Sequence, residues 1–112
     1  MKRGHPYSPQ AVAAVETLGL EIARGRRERR WTLVELAERA AISVVTLRQV
    51  ERGSPTVAIG TVFELATLVG LPLLGATDRA QSIEIRDRAR DRLMLLPARV
   101  REPSTRPDDD DF

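Results

Sequence analysis

At 112 residues, 42% of them apolar, the chain is long enough for one domain with a compact core and short extensions. It has no cysteine and only one histidine, His5, so we expect neither a disulfide nor a metal site. The sequence has no apolar run near the roughly 20 residues that cross a bilayer and no signal peptide. We therefore expect a cytoplasmic protein without a membrane contact. The formal net charge is +2, but the last ten residues carry −3 and the preceding 102 about +5, which favours a polyanionic partner or, alternatively, a solvated arginine-rich surface.

The first predicted helix begins after Ser8, a favourable N-cap residue, with Pro9 at the first helical position. Apolar residues then recur every three or four positions, the period of a helix, at Val12, Val15, Leu18 and Ile22. This pattern predicts a stable helix from about Gln10 to Arg29.

Two short helices are predicted next, separated by the turn "AIS". Thr32 and Glu35 have the spacing of a capping box, which begins the second helix. The apolar face of this helix is Leu33, Leu36, Ala37 and Ala40. Ser43 is expected to cap the third helix, and Gly53 to end it in the left-handed conformation.

The stretch "VAIGTVFELATLVG" predicts a fourth helix that ends at Gly70. Its apolar face is Val57, Thr61 or Val62, Leu65, Ala66 and Val69. After a linker, Asp78 is expected to cap a fifth helix that stops at Pro97. This helix is so highly charged that it is either solvated or paired with another chain, and the residues after it are predicted to be extended or disordered.

The second and third helices, with the short turn between them, have the arrangement of a helix-turn-helix. Ala37 is small where the two helices cross, and Ile42 fills the turn. Leu47 and Val50 are expected to hold the third helix on the core. The same spacing occurs in unrelated helical proteins, so it does not decide the function alone.

Three motifs in the correct order make the chain similar to a known family. They are "W-T-x-x-E-L-A", "L-R-Q-V-E-R-G" and "A-x-L-V-G-L", and the match covers about residues 18–74. This stretch resembles the Xre, or phage-repressor-like, helix-turn-helix family. The resemblance implies an all-α, five-helix lambda-repressor-like bundle with a C-terminal extension, which binds a palindromic operator in double-stranded DNA as a homodimer.

The resemblance also suggests how the chain is divided. We expect an N-terminal arm over residues 1–8, the helix-turn-helix domain over residues 9–76, a C-terminal helix for dimer or partner contact over residues 77–97, and a flexible acidic tail over residues 98–112.

The third helix is the recognition helix in this family, and its N-terminal residues meet base edges in the major groove. The residues that the resemblance places there are Ser43, Val44, Val45, Thr46, Arg48 and Gln49. A valine can contact the methyl group of thymine, whereas many relatives would place amides here. One of the two valines is expected to be exposed, while the other packs under the turn.

A second set of residues is expected to contact phosphates or to lie near them. This set is Arg27, Arg30, Thr32, Leu33, Arg52 and Thr56. The free amides at the start of the second helix, with the Thr32 hydroxyl, suit a phosphate. Many family members have Gln directly after the cap, where this chain has Leu33, so the usual contact of that Gln is lost. The alternative for each arginine is a solvated side chain that contacts no phosphate.

Arg26 and Glu51 have a structural role in the resemblance. In the family, an Arg at the end of the first helix pairs with the Glu of the "E-x-G" turn. This pair would tie the first helix to the end of the recognition helix, and it would not contact DNA.

The C-terminal segment "RARDRLMLLPARVREPSTRPDDDDF" looks like that of HipB-type antitoxins, Xre-type proteins encoded beside HipA-family serine/threonine kinase toxins. It implies a repressor that binds the kinase and represses its own operon. Asp110, Asp111 and Phe112 are the residues expected to bind the partner, because a terminal aromatic can anchor in a pocket. The alternative is that the acidic residues 108–111 bind no partner and only increase solubility.

Two other functions are compatible with these residues. A free-standing Xre-type or prophage transcriptional regulator without a toxin is the main alternative. A protein-interaction module that has lost DNA binding is a second, although the clustered arginines argue against it. Catalysis and cofactors are not expected, because the sequence has no phosphate loop, no metal cluster and no nucleophile–histidine pair outside an arm that contains His5.

Overall fold

The computed structural model describes residues 6–100, which form five α-helices and no β-strand. The predicted all-α class is therefore confirmed. The helices are α1 (Pro9–Glu28), α2 (Leu33–Ala40), α3 (Val44–Glu51), α4 (Ile59–Leu68) and α5 (Arg79–Met94).

The predicted helix starts are present as hydrogen-bonded caps. The Ser8 hydroxyl accepts a hydrogen bond from the Ala11 amide at 3.1 Å, with Pro9 in the first turn of α1. Thr32 and Glu35 form the reciprocal capping box of α2, with hydrogen bonds of 3.0 and 2.8 Å. Each bond satisfies an amide that has no partner within its helix.

The turn between α2 and α3 and the end of α3 use left-handed backbone. Ala41 has φ 58° at the C-terminus of α2, and Ser43 then caps α3. Gly53, predicted to end α3 in this conformation, has φ +80°. Glycine adopts this region without the steric cost that a Cβ atom imposes.

The fourth helix begins later than the apolar pattern predicts. α4 starts at Ile59, after Ala58, whose side chain makes no capping hydrogen bond. Val57 therefore lies before the helix, although it still packs partly against the core. An apolar side chain can reach the core from irregular backbone as well as from a helix, so periodicity extended the prediction too far.

One fully buried side chain from each of α1–α4 forms the centre of the core. These side chains are Ile22, Leu36, Leu47 and Leu65. All four were predicted from helical spacing, and burying each contributes about 1.5–3 kcal/mol.

The first helix approaches the last turn of α3 closely at Gly19. A Cβ atom on this residue would lie 2.3 Å from the carbonyl oxygen of Val50 and 3.0 Å from that of Glu51. Because both neighbours are backbone atoms of a helix, they cannot rotate away. Gly19 therefore allows the close contact through which α1 positions α3.

The chain divides into two compact units between Thr77 and Asp78. The first contains α1–α4, and the second contains α5. The Asp78 carboxylate caps α5 as predicted, accepting a hydrogen bond from the Gln81 amide at 2.8 Å. No side chain of α5 is buried, and the apolar side chains from Leu93 to Leu96 are all exposed. None of the helices within residues 6–100 has the length and apolar character to cross a bilayer.

Candidate nucleic-acid interface

The start of α3 is built on a cap with two hydroxyl groups. The Ser43 hydroxyl accepts a hydrogen bond from the Thr46 amide and donates one to the Thr46 hydroxyl, both at 3.0 Å. Leu47 and Val50 of the same helix are buried in the core. Burial of one face and capping of the first turn fix the direction of the exposed face.

The two adjacent valines of α3 lie in different surroundings. Val44 is half-buried and packs against the core, since it precedes Leu47 by three positions and shares its face. Val45 is 65% exposed. The sequence did not decide which of the two valines is exposed. In the structure Val45 is the surface valine, and Val44 packs between the helix and the core.

The other predicted base-contacting residues of α3, Arg48 and Gln49, are exposed. Arg52, which follows the helix, is exposed as well. Thr56 lies in the next turn, where its hydroxyl is 3.2 Å from the Ser54 hydroxyl. α3 and its C-terminal turn therefore present apolar, amide and cationic groups together.

The first turn of α2 offers less to a phosphate than the sequence suggested. The Thr32 amide donates to the Glu35 carboxylate, which the capping box places at this terminus. The Thr32 hydroxyl accepts from the Glu35 amide and can still donate its proton to a phosphate. Leu33 packs partly against the core. Its apolar side chain has no donor with which to form a hydrogen bond to a phosphate. The amides of Leu33 and Val34 remain as donors, because a helix has no partners for its first amides.

Arg26 and Glu51 form the ion pair that the resemblance implies. The Nε and Nη2 atoms of Arg26 donate to the two carboxylate oxygens of Glu51 at 2.7 and 3.0 Å, and Nη1 donates to the Trp31 carbonyl at 3.0 Å. Both side chains are about nine-tenths buried. The hydrogen bonds to Glu51 raise the pKa of Arg26, against the opposing effect of burial. The pair joins α1 to the end of α3.

A groove of about 720 Å³ lies above this ion pair, between the C-terminal half of α1, the start of α2 and the end of α3. We call it the arginine groove. Its apolar lining is Leu20, Ala23 and Leu33, and two carboxylates, Glu28 and Glu51, also line it. Five arginines complete the lining: Arg24, Arg26, Arg27, Arg48 and Arg52. Three of the predicted DNA-contacting arginines thus converge on one surface.

Three of the groove arginines, Arg27, Arg48 and Arg52, form no ion pair with a carboxylate of residues 6–100, and neither does Arg30. Arg24, at the groove rim, is different, because it bonds both Glu21 and Glu28. Those hydrogen bonds raise its pKa, the bond to Glu21 contributing most. Arginines without such partners keep their charge and donors available to an external anion.

Comparison with known proteins agrees with this geometry. A family model described as "Helix-turn-helix" matches residues 22–75, which include most of the core, the ion pair and the arginine groove. Residues 22–75 are an Xre-like helix-turn-helix domain. No curated protein and no solved structure matches the chain. Domains of this type bind DNA in transcriptional regulators and are not typically enzymes.

The helix-turn-helix domain also contains a stacked arrangement that sequence reasoning missed. The Arg39 guanidinium lies 4.2 Å from the centroid of the Trp31 ring, and that of Arg29 lies 5.7 Å from it. Cation–π contacts of this kind hold the two arginines to the domain. The available signal was the single tryptophan among closely spaced arginines, because composition alone treats those arginines only as positive charge.

The structure describes the surroundings of most predicted site residues, but not of all. Asp110, Asp111 and Phe112, as well as His5, lie outside the described residues. Among residues 6–100, no group of three or more acidic, histidine or cysteine side chains is arranged to hold a metal ion.

Proposed function

We propose that the chain is a sequence-specific transcriptional repressor that inserts α3 into the major groove of its operator. The observation that supports this most directly is the position of Val45, Arg48 and Gln49, which are exposed on the second helix of a helix-turn-helix domain. In this motif, the second helix contacts the base edges.

The proposed base contacts follow from the chemistry of each exposed group. Val45 would contact a thymine methyl group, and Gln49 can bond adenine through two atoms. Arg48 can donate to guanine or to a phosphate. Ser43 and Thr46 lie beside them, with hydroxyl groups already engaged in the cap. Val44 contributes by supporting this surface rather than by contact.

The proposed phosphate contacts come from the exposed arginines without carboxylate partners. Arg27 and Arg52 line the arginine groove, and Arg30 and Thr56 are further candidates. Together with the free amides at the start of α2, they would fix the orientation of α3 on the DNA without specifying sequence.

The domain over residues 9–76 would act in a homodimer, with the helix over residues 77–97 as a dimer or partner contact. Two symmetric copies of α3 would then meet half-sites about 34 Å apart, one turn of DNA. The exposed apolar side chains from Leu93 to Leu96 support a contact at this helix, because clustered exposed apolar groups mark association surfaces.

A salt titration tests DNA binding. If each protomer makes about four phosphate contacts, the dimer should show a slope of about −7 in log K against log salt concentration. The measurement is fluorescence anisotropy of labelled duplex DNA from low to physiological salt. A slope near zero would contradict the proposed interface.

The finer proposal is that the repressor is the antitoxin of a type II toxin–antitoxin module, which binds a HipA-family kinase toxin and represses its own operon. It is supported by the likeness of the C-terminal segment to HipB-type antitoxins. The alternative is a free-standing Xre-type or prophage regulator. The two differ in what the neighbouring gene encodes.

Co-purification tests the antitoxin proposal and the role of its tail. A kinase encoded beside this gene should co-purify with the full chain. Replacing Phe112 by Ser and Asp110 and Asp111 by Asn should weaken that capture at least tenfold, because the anchoring aromatic and its charges are lost. Unchanged capture would assign the contact elsewhere, and a neighbour of another kind would favour the free-standing regulator.

A further inference from the structure

Two carboxylates of α1 are bound by one arginine, and only one of them lines the arginine groove. Glu21, Arg24 and Glu28 lie on one face of α1, because residues three or four positions apart are neighbours on a helix. The Nε atom of Arg24 donates to Glu21 at 3.0 Å, and its Nη1 atom donates to Glu28 at 2.7 Å. Glu28 lines the groove, whereas Glu21 does not. One guanidinium therefore holds a carboxylate of the groove and another outside it.

The position of Glu28 is unfavourable for a surface that binds phosphates. It is the last residue of α1, where the helix macrodipole favours cations over carboxylates. It also directly follows Arg27, and consecutive Cα atoms are about 3.8 Å apart, less than the screening length of about 8 Å at physiological salt. A free Glu28 carboxylate would repel DNA phosphates and attract the arginines that are proposed to bind them.

The cation that pairs with Glu28 is Arg24 rather than one of the unpaired groove arginines. Those arginines, Arg27, Arg48 and Arg52, form no ion pair with a carboxylate of residues 6–100. The side chains of Arg24 and Glu28 are 56% and 59% exposed, so Glu28 is free to rearrange when its partner is removed. Without Arg24, the Glu28 carboxylate would pair with a groove arginine instead.

We propose that Arg24 is a positioning residue for DNA binding, which holds the Glu28 carboxylate so that the unpaired arginines of the groove stay available to phosphates. This role rests on the proposed function. Arg24 acts through Glu28 rather than by its own contact with DNA, since two carboxylates already occupy its guanidinium. Loss of Arg24 would then weaken DNA binding, and the additional loss of Glu28 would restore it.

A double-mutant cycle on non-specific duplex DNA tests this role. Arg24→Gln should lower the affinity of the full chain about tenfold, because Glu28 then competes with phosphates for a groove arginine. In the Glu28→Gln background, the same substitution should lower the affinity less than about twofold. Fluorescence anisotropy at low salt measures both affinities. A urea titration should show equal stability of all four proteins, since the pairs are exposed.

The matched control is Glu21→Gln. It removes a carboxylate from the same guanidinium, but one that lies outside the groove lining. The loss caused by Arg24→Gln should therefore remain about tenfold in the Glu21→Gln background.

The salt dependence of binding gives a second readout. If Arg24→Gln costs one phosphate contact in each protomer, the slope of log K against log salt concentration should change from about −7 to about −5. Adding Glu28→Gln should restore a slope of about −7, whereas adding Glu21→Gln should not.

The outcomes separate this role from the proposed function. Equal losses on Arg24→Gln with and without Glu28→Gln would mean that Arg24 contacts DNA itself or acts by its charge alone, and would overturn the positioning role. No loss on Arg24→Gln, or a rescue by Glu21→Gln as complete as that by Glu28→Gln, would overturn it as well. If the natural chain binds no DNA at low salt, the proposed function fails, and the role of Arg24 fails with it.

Discussion

Replacing Glu51 by Gln is expected to lower the free energy of unfolding by about 3 kcal/mol. The change leaves the Arg26 guanidinium about nine-tenths buried without its counter-charge, and an unpaired buried charge costs about 3–5 kcal/mol. Arg26→Met should have a similar effect, since it leaves the Glu51 carboxylate unpaired. Urea denaturation followed by circular dichroism measures both.

Two further variants make this test specific. Arg26→Met combined with Glu51→Leu removes both charges, and we expect it to be more stable than either single variant. Arg24→Gln breaks only exposed pairs with Glu21 and Glu28, and the unfolding midpoint should not move measurably. Single variants as stable as the natural protein would show that the pair does not join α1 to α3 energetically.

Replacing Val45 by Asp is expected to lower operator affinity by on the order of 100-fold while leaving the fold intact. Val45 is 65% exposed, so the substitution removes little packing. It places a carboxylate on the proposed DNA-facing surface of α3, where like charges repel by several kcal/mol. Anisotropy with operator DNA and a urea titration measure the two effects.

The adjacent valine is the matched control. Val44→Ala removes a half-buried side chain that packs on the core, and the free energy of unfolding should fall by about 1 kcal/mol. Operator affinity of the folded protein should change little. If both substitutions lowered the free energy of unfolding and neither lowered the operator affinity of the folded protein, the proposed surface of α3 would be wrong.

Local features of the fold could be predicted from the sequence, because they depend on residues three or four positions apart. The caps of four helices and the buried residues of the core are of this kind. The start of α4 could not, since the contact of Val57 with the core does not reveal its backbone conformation. The close approach at Gly19 depends on a distant carbonyl, and no local pattern indicates it.

The candidate site was predictable to the level of residue type and helix, but not of orientation. Periodicity places Val44 and Val45 on one turn, and only the packing of Val44 shows which of them is exposed. Nor could sequence distinguish the arginines. Arg39 stacks on Trp31, Arg26 is paired in the interior, and Arg48 lines the groove, because tertiary neighbours decide the role of each charge.

The contact of α3 with DNA bases is tested most directly by removing single methyl groups from the operator. Once an operator has been selected with the full chain, each thymine is replaced in turn by uracil, which lacks only the C5 methyl group. At one position in each half-site, the natural protein should lose about fourfold in affinity, the value of one buried methyl group. The Val45→Ala variant should be insensitive at that position. Equal sensitivity of both proteins, or no sensitivity at any thymine, would contradict the proposed contact of Val45 with the bases.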